Sequence, residues 1–473
     1  MTAGNGSLAR LEALLGADVI RTAAAELEPL QQDHRRLYQG RALALALPRT
    51  VEEVSTLLAF CHAQRIGVVP HAGNTSYCGG ATPDASGTQL VLSLRRLAAI
   101  RAVDPLNYSM VAEAGCILAT LQQAAAAADR FFPLSLGSEG SCQIGGNLST
   151  NAGGLNVVRY GMTRDLVLGL EVVLPDGRLL SSLSSVRKDN TGYDLKSLFV
   201  GAEGTLGVIT AASLKLFPLP RDVATAFVAV PRPQAAVELL VRLREASGDR
   251  VGSFELVPQI AIDLTTRHIP GIVAPLDRAS PWYVLCELSS PRADEGLGVL
   301  LETELGRALE AGLVTDAVLA QSERERQAFW RLRESVPTAQ TRDGASLKHD
   351  VSVPVAQLPA FIEQASRWIE AQVTDAVLVA YGHVGDGNLH FNLNQAPGTP
   401  AEALQAQEAK IRRAIHDLVH DFGGSFSAEH GIGRSKVEEL ARYAPPVELE
   451  LMQAIKRALD PHGIMNPGKV LQP

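Results

Sequence analysis

Pro218-Leu219-Pro220 divides this chain more firmly than any other three residues. Two prolines around one leucine break both the helical and the strand period, so neither element runs through them. Upstream, the 473-residue sequence is rich in glycine, with short strands and few long helices. "GVVP", "LVLSLRRL" and "SMVAEAGC" read as strands; "TVEEVSTLLAFCHAQ" and "ILATLQQAAAAA" read as helices. "DLVLGLEVVLPDGRLL" alternates and turns at Pro-Asp-Gly, which predicts a hairpin. Downstream the character changes. "ATAFVAV" and "YVLCELSS" predict strands, while "PQAAVELLVRLREAS", "ADEGLGVLLETELGRALEAG" and "VAQLPAFIEQASRWIEA" predict helices. "EALQAQEAKIRRAIHDLVHDFGG" predicts one long helix ending at Gly-Gly, and the tail after it a loop, two helices and a closing segment. The chain is too long for one core. The expected division is 1–218, 219–424 and 425–473, in an α+β fold whose helices interleave with antiparallel hairpins.

Composition narrows the class. At 46% hydrophobic and 20% charged residues the chain has the make-up of a soluble enzyme, and its net charge of −8 argues against a nucleic-acid partner. No run of about 18 uncharged apolar residues predicts a membrane span. "MTAGNGSLARLEALLGADVI" lacks the basic start and apolar core of a secretory signal. Five scattered cysteines without Cys-x-x-Cys fit a reducing cytoplasm, the expected location, better than a disulfide scaffold.

"YGHVGDGNLHFN", residues 381–392, carries two histidines placed symmetrically about Asp386-Gly387. Asp-Gly between apolar runs is a strong signal for a two-residue hairpin turn. A turn centred there sets Val384 opposite Leu389 and His383 opposite His390. Paired side chains share a face at a separation of roughly 5 Å, so two imidazoles would converge on one ion. Tyr381 and Asn392, two residues away on each strand, join that face. A rival pair, His416 and His420 in "HDLVH", has helical i,i+4 spacing but no partner carboxylate in the fitting place, and reads as a solvated face.

Two loops in the first part, "PHAGNTSYCGGA" (Pro70–Ala81) and "PLSLGSEGSCQIGGNLSTNAGG" (Pro133–Gly154), mix glycine with Asn, Ser and Thr. Glycine lets backbone N–H groups approach a phosphate, and the polar side chains add donors. No lysine follows as in a P-loop, and no G-x-G-x-x-G opens a helix after a strand, so any nucleotide cradle is of another kind. Ordinary surface loops remain the alternative on composition alone.

These loops, with "YGMTRDLVLGLEVVLPDGRLL" and "DLKSLFVGAEGTLGVIT", resemble the FAD-binding domain of the vanillyl-alcohol oxidase and p-cresol methylhydroxylase (PCMH-type) flavoprotein superfamily. The tail "SFSAEHGIGRSK…MNPGKV" is similar to the D-lactate and D-2-hydroxyglutarate dehydrogenase branch of that family. The resemblance implies a PCMH-type FAD-binding domain of two subdomains plus an α+β cap, or substrate, domain with an antiparallel sheet. It implies that Gly73, Asn74, Thr75 and Ser76 cradle the pyrophosphate, and that Gly145, Gly146, Ser149, Thr150, Asn151 and Gly154 line the second loop. Glu203, Gly204, Gly207, Val208 and Ile209 would meet the adenine-ribose and flavin sides, and Asn466 would close over the ring. Some relatives bond a first-loop histidine to the flavin. Here Asn74-Thr75 fills that place and His71 lies earlier, so FAD is expected to be non-covalent.

The paired histidines need a third ligand. Glu429 in "SAEHG" stands in a loop before a helix, where a carboxylate could equally serve as a cap; the resemblance favours the ligand. Two histidines, a carboxylate and an open position suit catalytic Zn²⁺, and also non-haem Fe(II), so the ligand set alone does not fix the metal. Such an ion would lower the pKa of a substrate hydroxyl and orient it. His430, beside Glu429, is the candidate base. The resemblance further implies that Arg333 and Lys348 bind the acid and that Asn392 adds a donor. Arg331, two positions from Arg333 on a helix, points elsewhere. A threonine that contacts substrate in some relatives is Pro337 here, which has no N–H or hydroxyl to give.

The expected activity is FAD- and metal-dependent oxidation of D-2-hydroxyglutarate to 2-oxoglutarate, with D-lactate or D-malate as alternatives. An electron-transfer flavoprotein or a quinone would take the electrons, and a homodimer is allowed. From a different class, a flavin-bound but catalytically silent subunit of an electron-transfer complex is the competing reading.

Overall fold

The computed structural model describes residues 3–472, with side chains from residue 6 onward. The chain forms two compact units. The first comprises the segments up to Gly153, Met162–Leu219, and from Glu429 on; the second comprises Gly154–Gly161 and Pro220–Ala428. The proline break thus falls at the main crossing. The short excursion Gly154–Gly161 has no counterpart in the sequence reading, and it removes Gly154 from the first unit.

Besides the short pair Arg130–Phe131 with Phe217–Pro218, the described residues of the first unit hold two larger sheets. In the four-stranded one, Ala42–Ala46, Gln89–Ser93 and Val68–His71 run parallel, with Ile20–Arg21 antiparallel at the edge. The five-stranded sheet is antiparallel: Ile100–Asp104, Ser109–Glu113, Val208–Lys215, Val167–Val173 and Leu179–Ser182, in that order. Its last two strands form the hairpin expected at Pro-Asp-Gly. Helix Val51–Gln64 starts where Thr50 accepts from the Glu53 N–H and ends at left-handed Arg65. It buries Val54, Leu57, Leu58 and Cys61 against Val68, Leu90 and Leu92.

The second unit is one eight-stranded sheet with helices on both faces. Its elements are β1 (Asp222–Val230), α1 (Pro233–Ser247), β2 (Val251–Pro258), α2 (Gln259–His268), β3 (Trp282–Ser290), α3 (Leu297–Glu310), β4 (Asp316–Leu319) and α4 (Glu323–Asp343), then β5 (Ser346–Leu347), β6 (Asp350–Ser352), α5 (Leu358–Gln372), β7 (Ala376–His383) and β8 (Asn388–Gln395). The strand order is β4-β1-β3-β2-β7-β8-β5, with β6 also on β8, and all pairs are antiparallel. Alternation sorts the core. Along β1, Ala226, Val228 and Val230 face α1, α3 and α5, while Phe227 and Ala229 face α2 and α4.

Helix α4 begins at Ser322, whose side chain accepts from the Glu325 N–H, and continues through Pro337 to Asp343. It turns Phe329, Trp330, Leu332 and Val336 onto the sheet, and Arg333 goes with them. Pro337 has no N–H for the Arg333 carbonyl four residues before it.

Two sequence readings need correction. The single long helix before Gly423 is two, Ala401–Gln405 and Glu408–Asp421. Its His416 is not on a solvated face: it is buried against His349 and Phe426, while His420 is exposed. The apolar stripe Ile411, Ile415 and Val419 is buried beside His416 and turns that side of the helix inward.

Candidate active site

The histidine hairpin forms, but in another register. Tyr381, not His383, lies opposite His390, and four residues, 384–387, connect the strands. The reason is Asp386. A primed turn needs it at positive φ, whereas here only Gly387 has it (84°), and the Asp386 carboxylate instead accepts the Asn388 N–H. A shift of two residues keeps every side chain on its face. Tyr381, His383, His390 and Asn392 therefore still share one side, and the His383 and His390 rings meet edge-on at 5.7 Å. On the far side of β8, Asp350 pairs with His390, so Tyr381, His390 and Asp350 form a row across three strands. Asp350 and His390 present ligand atoms within 4.8 Å of each other.

His383 is held from a neighbouring strand. Glu255, opposite it on β2, approaches its Nδ1 with Oε1 at 2.5 Å, and accepts from Arg333 Nε with Oε2 at 2.8 Å. The Glu255 side chain has no exposed surface. Burial pushes its pKa up, but His383 and Arg333 draw it down to about 2. Arg333 lies over the Tyr381 ring at 4.8 Å. Its Nη2 is buried without a hydrogen-bond partner, and an unsatisfied buried cationic donor is costly, so a carboxylate brought there would be strongly held. Arg331 instead reaches the Pro270 carbonyl at the surface. Asn392 accepts the His349 N–H and donates to Gln340, which also receives Tyr381 Oη. Its amide nitrogen carries two hydrogens, so one is left for a ligand. Lys348 lies between β5 and β6, half-buried, rather than on a strand.

The loop carrying Glu429 and His430 belongs to the first unit. Its approach is anchored in the second: Ser425 bridges to Ser352, and the Ala428 N–H meets the Asp350 carbonyl at 3.4 Å. Glu429 is the next residue. Its carboxylate lies 3.6 Å from His430 Nε2, and Tyr77 meets the His430 ring edge-on at 4.8 Å. Burial raises the Tyr77 pKa. Glycine is demanded at position 431: φ is +76°, and a Cβ would stand 2.7 Å from Glu203.

Glu203, expected beside the cofactor, holds this loop. Its carboxylate accepts the N–H groups of Ile432 (2.7 Å) and Gly433 (2.8 Å), which leaves it engaged by backbone. Residues 144–150 depart from expectation: they form a short helix, not a loop. Ser149 and Thr150 donate to the carbonyls of Gly145 and Gly146 within it. Gly145 and Gly146 let the helix pack, since Cβ atoms there would come within 2.6 Å of Ala114 and 2.9 Å of Ala72. Asn151 ends the helix at φ 48°. In the first loop, Gly73 lies where a Cβ would be 2.6 Å from the Ser141 carbonyl, and Asn74 (φ 53°) donates to the Gln32 carbonyl. Thr75 and Ser76 follow, both half-buried. Gly204 packs on Pro70, and Gly207 on Val172 and Val173, just before the buried strand residues Val208 and Ile209.

The first unit fits FAD. Around these loops, Gln143 Oε1, Asn147 Oδ1, Asn466 Oδ1 and both ring nitrogens of His71 are buried without hydrogen-bond partners. Asn466 uses its amide nitrogen on the carbonyls of Gly80 and Glu203, which turns that unpaired oxygen inward. A polyhydroxylated, phosphate-bearing cofactor satisfies groups of this kind. Within the second unit, His383, His390 and Asp350 likewise offer the nitrogen and oxygen donors that suit a divalent cation.

Glu255 and Asp350 escaped the sequence reading. The signal was there: Glu255 is the one charged residue in the apolar strand "VGSFELVP", and a charge inside a buried strand needs a partner.

Comparison with known proteins agrees with this frame. Residues 219–470 match the family "FAD linked oxidases, C-terminal domain", and residues 42–182 match "FAD binding domain". The chain is 40% identical over 471 residues to the mitochondrial D-2-hydroxyglutarate dehydrogenase of Bos taurus, covering 98% of this chain and 83% of that protein. It is 35% identical over 453 residues to the D-2-hydroxyglutarate dehydrogenase of Xanthomonas citri pv. viticola, covering 96% and 94%. The solved structure of p-cresol methylhydroxylase with substrate bound shares the fold, with a TM-score of 0.75 at 17% identity over 99% of this chain and 97% of that one. The chain therefore belongs to the FAD-linked oxidases, in the family of the D-2-hydroxyglutarate dehydrogenases, and is a flavin-dependent oxidoreductase.

Proposed function

We propose that this enzyme oxidises D-2-hydroxyglutarate to 2-oxoglutarate and that a divalent cation, Zn²⁺ in our reading, takes part. The observation that carries the reading is Arg333: a buried guanidinium with an unsatisfied Nη2, on the same sheet face as His383 and His390. A dicarboxylate gives that donor a partner. FAD, when bound, supplies the acceptor for the hydride that leaves the substrate Cα. His383, His390 and Glu429, with Asp350 as a further oxygen donor, would hold the cation, which would supply Lewis acidity at the hydroxyl. His430 takes the hydroxyl proton. Arg333 and Lys348 bind carboxylate oxygens, and the remaining Asn392 N–H orients one of them. With FAD bound as hydride acceptor, the hydroxyl proton would pass to His430, and the alcohol would become a 2-oxo acid. An electron-transfer flavoprotein or a quinone would take the electrons from the reduced enzyme. Pro337, which offers no donor to a second carboxylate, leaves D-lactate as the runner-up, with D-malate as a side substrate.

Anaerobic addition of D-2-hydroxyglutarate to the purified yellow protein should bleach the flavin faster than D-malate or D-lactate does. His430→Ala should keep the yellow colour and lose flavin reduction by about 100- to 10,000-fold. Bleaching by D-lactate alone would overturn the substrate assignment, and bleaching by none of the three would support a silent flavin subunit.

A further inference from the structure

Glu255 has two oxygens and two partners, and each partner carries a different part of the proposed reaction. Oε1 is with His383 Nδ1 and Oε2 with Arg333 Nε. The strand register fixes the first contact, because Glu255 and His383 are direct neighbours across β2 and β7. The second comes from α4, whose buried side brings Arg333 to the sheet. No water reaches the carboxylate, whose side chain is fully buried. Each contact has a directional consequence. A carboxylate at Nδ1 makes that nitrogen the proton carrier, so Nε2 becomes the lone-pair nitrogen of His383. A carboxylate at Nε occupies one end of the guanidinium fork and fixes its plane over Tyr381, so Nη2 is aimed by the fold rather than by the ligand.

We infer that Glu255 is the positioning residue of this site, one carboxylate that sets both the tautomer of the metal-binding His383 and the aim of the acid-binding Arg333. The inference rests on the proposed roles of those two residues. It predicts that carboxylate recognition and metal affinity fall together when Glu255 is altered, because glutamate sets a separate acceptor oxygen on each partner whereas glutamine keeps only one and turns an N–H toward the other. A plain structural ion pair would not link them. Glu287 supplies the comparison: on neighbouring β3 it accepts from Arg326 (2.7 Å), Trp330 Nε1 (3.0 Å) and Thr225 (2.9 Å), and it touches neither His383 nor Arg333.

The test uses the FAD-loaded protein and two equilibrium readouts: Zn²⁺ affinity by competition with a chromophoric chelator, and 2-oxoglutarate affinity from its perturbation of the flavin spectrum. Glu255→Gln should weaken both by about 10- to 100-fold; Glu287→Gln should leave both near the wild-type values. Arg333→Gln should weaken 2-oxoglutarate binding and spare Zn²⁺. If Glu255→Gln keeps both affinities while Arg333→Gln loses 2-oxoglutarate, the inference fails and the functional reading stands. If Arg333→Gln binds 2-oxoglutarate normally, the functional reading itself fails. Should Glu255→Gln not fold, the apolar pair Glu255→Leu/Arg333→Leu removes both charges together. Its Zn²⁺ affinity should fall below that of Arg333→Gln, and equal affinities would overturn the inference.

Discussion

Glu203 in the first unit and Glu255 in the second are both carboxylates taken out of water, one 9% exposed and the other 0%. Burial pushes both pKa values up; their partners decide the outcome. Glu203 meets only backbone N–H groups, with Lys436 acting at longer range, and its pKa stays raised. Glu255 meets an imidazole and a guanidinium, and falls to about 2. The first fastens a loop, Gly431 to Gly433, to the body of its unit. The second is tied to His383 and Arg333, the proposed metal and acid ligands. Buried charge alone therefore does not mark a functional group, and neither does a partly buried ion pair such as Glu287 with Arg326; what sets Glu255 apart is that its two partners are the proposed metal and acid ligands. His71 completes the series: buried, with no hydrogen-bond partner for either ring nitrogen, it is pushed down to about 4 by burial first and by Arg95 second.

The contrast makes graded predictions for stability in urea. Glu255→Ala strands the Arg333 charge in the core and should cost about 3–5 kcal/mol, the largest effect. A loss under 1 kcal/mol would mean that water reaches the guanidinium. His71 should contribute up to about 3 kcal/mol of pH dependence. The sign follows from its depressed pKa. The unfolded chain takes up a proton near 6.5 and the folded one only near 4, so stability falls as pH drops through that window. His71→Leu should flatten the urea midpoint between pH 6.5 and 4; an unchanged slope would show that another group is responsible. Glu203→Ala frees two backbone donors at the "HGIG" loop and should cost about 1–3 kcal/mol. It should also lower the rate of flavin reduction, since His430 sits on that loop. A variant with full stability and full rate would break the comparison at its other end.

Much of this was legible in the sequence because local rules and tertiary structure agree. The proline break, the "VLPDGR" hairpin and α1 appear where the pattern puts them, since periodicity and turn chemistry are local. The histidine face also survived, because the register slipped by two residues rather than one. What local reading missed depends on partners distant in sequence. Glu255 stands 128 residues from His383 and 78 from Arg333, and only the sheet order brings them together. Asp350 joined the row through the pairing of β6 with β8. The contact of the Glu203 carboxylate with Ile432, 229 residues away, likewise leaves no local mark in the sequence.

Zinc-edge anomalous diffraction from crystals grown with Zn²⁺ and 2-oxoglutarate tests the central claim most directly. The account predicts one anomalous peak at bonding distance from His383 Nε2, His390 and Glu429, with a carboxylate of the keto acid on Arg333 Nη2 and Glu255 still bridging His383 Nδ1 and Arg333 Nε. A peak that excludes His383, or a keto acid bound away from Arg333, would contradict it.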